Sequence, residues 1–181
     1  MLPAAAAPNR PDAAPPPAAS PADPRIQALE ADLLHAPGAD QAGAILARLE
    51  ARRESLLSPT ARLMLHRGQR EQADGHLREA LGDLSDALEL QPGQSLLWRE
   101  RAAVRAAQAD QAGALQDLGN AINRDPADVQ SWSGLSLIEE SAGRGEPAFA
   151  AWEHVLRLDP MIAGGAARLA HLHHLMVGDP T

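Results

Sequence analysis

From Arg25 onward, apolar residues recur at i, i+3, i+4 and i+7, and proline or glycine interrupts them at intervals. That spacing places the apolar side chains on one face of successive helices. In Gln111–Arg124 the face is formed by Ala114, Leu115, Leu118, Ala121 and Ile122. Asp110 stands before this stretch as an N-cap and Pro126 follows its end, so both helix boundaries are marked. The same reading predicts helices over Ile26–His35, Gln41–Leu57 and Ala163–Val177. No apolar run approaches the roughly 20 residues of a membrane-spanning helix.

The pattern also repeats. Pro92, Pro126 and Pro160 stand 34 residues apart, and a fixed period of that length marks an array of structural repeats. The segment Ala80–Leu88 lies one period before Ala114–Ile122, which lies one period before Ala148–Leu156. Taking each proline as the 32nd residue of its unit gives units 61–94, 95–128 and 129–162. Position 4 is then Met64, Trp98 or Trp132, position 8 is Gly68, Ala102 or Ser136, and position 20 is Ala80, Ala114 or Ala148. Position 24 is Leu84, Leu118 or Trp152.

This arrangement resembles the tetratricopeptide repeat (TPR) family, with a large residue at 4, small residues at 8 and 20, and proline at 32. The resemblance implies an all-α fold: a right-handed α-solenoid of antiparallel helix pairs, helix A then helix B, in three regular repeats with divergent caps. Small residues let the two helices of a pair approach, bulky ones at 4 and 24 fill the flanking space, and proline ends helix B. Trp98, Trp132, Trp152, the three alanines at 20 and the three prolines are accordingly read as structural. Arg67, Arg101, Glu71 and Val155 depart from the family pattern and are expected to loosen the packing. Residues 25–60 read as a divergent N-terminal pair, in which Asp40–Ala44 echoes Asp110–Ala114, and residues 163–181 as a C-terminal capping helix with Leu169, Leu172 and Met176 on one face.

Composition adds the remaining outline. Residues 1–24 are almost wholly Ala, Pro, Ser, Asp and Asn, too poor in apolar bulk to offset the entropy of ordering, and are expected to be a disordered tail. Met1-Leu2-Pro3 and the four alanines after it resemble the end of an export signal without its charged start. The default compartment is therefore cytoplasmic, with a periplasmic location as the alternative if the true start lies upstream. The 181 residues carry a net charge of −8, contain no cysteine, and have arginine as their only strongly basic side chain. Thiolate sites are thereby excluded, and the acidic balance opposes nucleic-acid binding. Abundant Ala, Arg, Gly and Pro with no Lys point to a GC-rich, bacterial genome.

By resemblance, positions 2, 5, 9 and 12 of each unit face the concave side. The candidate peptide-binding residues there are Arg62, Leu65, Gln69, Leu96, Arg99, Leu137 and Glu140, with His171 on the capping helix. Arg99 and Arg62 suggest a segment with some negative charge, flanked by apolar contacts. The carboxylate clamp of chaperone-binding TPR proteins would need Lys and Asn where Leu65 and Gln69 stand, and Asn where Glu100 stands, so that mode is disfavoured.

Chemistry is sparse. His171 and His174 share a helix face but make only two ligands, fewer than a zinc site requires. Gly134–Leu137 lacks the second glycine of a nucleophile elbow, and Gly143–Gly145 is a turn without the lysine of a phosphate loop. No catalytic, metal or cofactor residue is assigned. The expected function is a non-enzymatic protein–protein interaction scaffold or adaptor with a protein or peptide partner. With no helix B to cover it, the Leu169, Leu172 and Met176 face of the capping helix is expected to be exposed; homo-oligomerisation through it is the structural alternative, and weak metal binding the least favoured.

Overall fold

A computed structural model describes residues 23–177, and those residues form helices and turns without a strand. The helices are α1 (Pro24–Leu34), α2 (Ala39–Ser55), α3 (Pro59–Ala73), α4 (Leu77–Leu90), α5 (Ser95–Ala107), α6 (Gln111–Arg124), α7 (Val129–Ser141), α8 (Gly145–Leu158) and α9 (Gly165–Val177). The proposed tail, apart from Asp23 and Pro24, lies outside the described residues.

Helices α3 to α8 pair as α3·α4, α5·α6 and α7·α8, and the pairs stack in order, with α3, α5 and α7 as neighbouring A helices. The local chemistry recurs with the period. Ala80, Ala114 and Ala148 are completely buried where helix B meets helix A. A side chain on Gly68 would press against Leu84 and the Ala80 carbonyl, and Ser136 at the equivalent place donates its hydroxyl to the Ala148 carbonyl at 2.9 Å. The indoles of Trp98 and Trp132 each donate to the carbonyl of the preceding unit's proline, Pro92 and Pro126, at 2.8 and 2.9 Å. Each indole thus ties the start of one unit to the end of the last.

The turn from helix A to helix B requires a left-handed residue at position 15. Gly75 and Gly143 supply it with φ of 83° and 73°, and Ala109 adopts it with φ of 62°. Glycine takes that conformation freely, whereas an alanine there is strained.

The expected loosening at position 7 does not occur, because a second substitution compensates for it. Arg67 and Arg101 reach Asp83 and Asp117 at position 23 of their own units. Asp117 is 1 % exposed and accepts from Arg101 Nε and Nη2, both at 2.8 Å. Unit three has Leu135 and Ala151 at these places, so two units carry an ion pair where the third carries apolar residues. Of the other two departures, Val155 is fully buried and Glu71 pairs with His76 at 2.8 Å.

The ends differ from simple stacked caps. In α9, Leu172 is fully buried and Leu169 packs against the same apolar cluster. The face expected to be uncovered therefore closes on α8, and Trp152 completes the joint by donating to the Gly165 carbonyl at 3.0 Å. Leu175, Met176 and Val177 remain exposed. At the N-terminus, α1 and α2 form a hairpin whose α1 packs on α8. Leu29, Leu33 and Leu49 share a core with Val129, Trp152 and Val155 of unit three. The buried alanine of α2 is Ala42, whereas Ala44 is exposed; the echo of Asp110–Ala114 therefore does not reproduce the alanine packing of a helix B.

Candidate functional site

A groove of about 440 Å³ lies between the A helices α5 and α7. Small side chains, among them Ala103, Ala106, Ser133 and Gly134, line it together with the larger Leu118, Leu137 and Ile138 and the polar Glu100 and Gln130. Alanine and glycine at successive turns leave the space, and Leu137, 58 % exposed, is the large apolar side chain facing solvent there. Arg99 closes one end.

Arg99 is not free to receive a ligand. Its guanidinium clasps Glu50 of α2 and donates to both carboxylate oxygens of Asp128 at 3.0 Å. The side chain is 12 % exposed and Asp128 is fully buried. One helical turn along from the buried Leu49, Arg53 sits 3 % exposed, donates to Asp125 at 2.9 Å and Glu50 at 3.0 Å, and lies within 3.6 Å of Glu30. Burial would push the Asp128 carboxyl up, but Arg99, Arg53, the Ser131 hydroxyl and the Gln130 amide hold it below the ordinary carboxylate range. Glu30 goes the other way. Burial, aided by the charges of Asp125 and Asp128, pushes it up to about 7 against the pull of Arg53.

The cluster therefore contains Glu30, Glu50, Glu100, Asp125 and Asp128 against Arg53 and Arg99. It joins the α1–α2 hairpin to the edge of the array where α5 and α7 begin.

The other predicted residues divide clearly. Leu65 and Leu96 are 1 % and 5 % exposed and belong to the core around α3, α4 and α5, so they cannot flank a ligand. Arg62 donates to the Leu57 carbonyl at 3.1 Å and lies 4.0 Å from Glu54. Gln69 donates to Glu100 at 2.9 Å. Glu140 accepts from Arg168 at 2.5 Å and pairs with His171 at 2.9 Å, which ties α7 to α9. Of the eight, Leu137 and Arg99 line the groove, and Arg99 does so already paired; an acidic ligand held by Arg99 and Arg62 meets carboxylates in place. His173 packs edge-on to Phe149, and among the described residues no cluster of three or more His, Asp or Glu is arranged to hold a metal. Likewise, among these residues no helix is long and apolar enough to cross a membrane.

Glu50 and Arg53 were not singled out from the sequence. They lie 49 and 72 residues from Arg99 and Asp125, beyond the reach of a 34-residue period. A local signal existed: Arg53 continues the buried stripe of Leu49 at i+4, where an apolar residue would be ordinary.

No family model matches the chain. The Hsp70-Hsp90 organizing protein of Triticum aestivum is 33 % identical over 96 residues, which are 53 % of this chain and 16 % of that protein; the chain thus spans about a sixth of the curated relative it matches. Among solved structures, the first TPR of Spaghetti (RPAP3) bound to the HSP90 peptide SRMEEVD superposes with a TM-score of 0.63 at 19 % identity, over 67 % of this chain and 96 % of that one. The Sgt2 TPR domain from Aspergillus fumigatus gives 0.62 at 20 % identity, over 69 % and 87 %. The UNC-45 chaperone of C. elegans, in complex with a Hsp90 peptide, gives 0.57 at 29 % identity, over 66 % and 14 %. The described helices therefore have the fold of TPR domains, an all-α solenoid of helix pairs.

Proposed function

We propose that this protein is a non-enzymatic adaptor that takes a segment of a partner protein in the groove between α5 and α7. The observation that carries this is the groove itself: Ala103 and Ala106 of α5 and Ser133 and Gly134 of α7 leave a furrow of about 440 Å³ between two A helices, with Leu137 exposed beside it. The fold is shared with domains that hold a chaperone peptide in their solved complexes, which supports recognition of a partner segment.

The chemistry favours a neutral or apolar segment over an acidic chaperone tail. Leu65 is buried, Gln69 is bonded to Glu100, and Arg99 is neutralised within the chain. A charge arriving there would face Glu50, Glu100 and Asp128. Two measurements test the proposal. Labelled SRMEEVD should show no saturable binding at micromolar protein. Proteins retained by the full chain from a lysate of its host should be lost by Leu137→Asp and by Ala106→Arg, both of which alter the groove. Retention of the same proteins by both variants would remove the groove from the account.

A further inference from the structure

The seam under the α1–α2 hairpin has the make-up of a recognition surface. On the array side it offers Arg99, Asp125 and the buried Asp128 N-cap of α7, next to the apolar Val129, Trp152 and Val155. On the hairpin side it receives Leu29, Leu33 and Leu49 together with Glu50 and Arg53. An amphipathic helix presenting leucine, glutamate and arginine on one face is how helices commonly dock in grooves.

Two features indicate that this docking is reversible. The seam gathers the carboxylates of Glu50, Glu100, Asp125 and Asp128, with that of Glu30 raised to about 7, around the two guanidinium groups of Arg53 and Arg99, a surplus of like charge that opposes closure. The hairpin is also tethered rather than continuous with the stack. Ser58 caps α3 and Pro59 starts it, while Gln91 accepts from the Ser58 amide at 2.7 Å and donates to the Leu56 carbonyl at 3.4 Å. The linker at 56–58 is thereby pinned to unit one, and the hairpin reaches from that fixed point to unit three.

We infer that the α1–α2 hairpin is a releasable internal ligand, and that the surface it covers at the starts of α5 and α7 is a docking site for an amphipathic helical segment bearing leucine and a glutamate–arginine pair. A partner of that chemistry enters by displacing the hairpin, and Arg99 exchanges the Glu50 carboxylate for the partner's. This rests on reading the A-helix side as the binding side, but it uses a different surface from the groove. Because the hairpin is attached, it competes at an effective concentration in the millimolar range.

The test uses the full chain with Leu49→Asp, which ejects the hairpin, and a labelled synthetic peptide of residues 23–57 as probe. The peptide should bind this variant at least tenfold more tightly than the unaltered chain, whose site is filled. A peptide carrying Glu50→Gln should lose at least tenfold. Adding Ala106→Arg to the variant should leave binding unchanged, so that failure of the groove reading and failure of this one are told apart. Hydrogen exchange checks that α3–α8 stay protected, and Arg53→Glu serves as a second ejecting variant. Equal binding to altered and unaltered chains, no binding to a protected array, or loss of array protection in both variants would each overturn the inference.

Discussion

The sharpest consequence of the helix-pair chemistry concerns Asp117. This carboxylate is 1 % exposed and is held by Arg101 at 2.8 Å and Arg105 at 3.0 Å. Truncating one partner of a buried ion pair leaves the others uncompensated, at a cost of about 3–5 kcal/mol. Arg101 and Arg105 retain 14 % and 22 % side-chain exposure and can turn toward water, so the lower end, about 3 kcal/mol, applies to Asp117→Ala. With a urea m-value of about 2 kcal/mol/M, the unfolding midpoint falls by about 1.5 M. Arg101→Leu alone strands a buried carboxylate with only Arg105, and should cost about 2 kcal/mol or more. The double variant Arg101→Leu/Asp117→Ala copies the Leu135 and Ala151 of unit three. Arg105 keeps the Gly113 carbonyl at 3.1 Å and Asp110 at 3.9 Å. Replacing a buried pair by apolar residues is often neutral or stabilising, so the double variant should lie within about 1 kcal/mol of the unaltered protein. Urea unfolding followed by circular dichroism, run on all four chains, decides it. A double variant as unstable as the two single losses added together would refute the idea that the pair substitutes for an apolar contact.

Further outcomes follow from other positions. Ala109→Gly should stabilise the chain by about 1 kcal/mol in thermal or urea unfolding, because it relieves the left-handed strain at φ 62°. The same change at Ala103, exposed in the interior of α5, should destabilise by about that amount. Glu30 has its carboxyl raised from an ordinary 4.5 to about 7 among Asp125, Asp128 and Arg53. The folded state then binds the proton more tightly than the unfolded one, so this group's contribution is fully favourable below pH 4.5 and is lost as pH rises through 7. Glu30→Gln should flatten that part of the stability–pH curve, measured by urea midpoints from pH 5 to 8; an unchanged slope would show that the carboxyl titrates as it does in the unfolded chain.

What the sequence made legible was set by the period. Trp98, Trp132, the alanines at position 20 and the prolines act within one unit or across one junction, and every such contact recurs 34 residues later. The Arg67–Asp83 and Arg101–Asp117 pairs were equally local, 16 residues apart. Each arginine departs from the family residue at its own position, and only the aspartate at position 23 of the same unit shows that the departure is compensated. Leu65 and Leu96 were assigned to a ligand surface because helix spacing gives a direction and not a burial. Nothing in the α9 sequence tells that the face of Leu169 and Leu172 closes on α8, whose Gly145 lets Leu175 and Met176 approach closely. The hairpin's docking had no periodic signature at all. It depends on Glu50 and Arg53 meeting charges 49 to 75 residues away, and only an arginine on an otherwise apolar stripe hinted at it.

The docking of α1–α2 on the array decides what remains of the concave side for a partner, and a double-mutant cycle between Glu50 and Arg99 measures it directly. With Glu50→Gln, Arg99→Gln and the double variant unfolded in urea, the two substitutions should couple by about 1–3 kcal/mol, as groups in one buried network do. Strictly additive effects, with coupling below about 0.3 kcal/mol, would mean that the hairpin does not sit on α5 and that Arg99 is open to ligand.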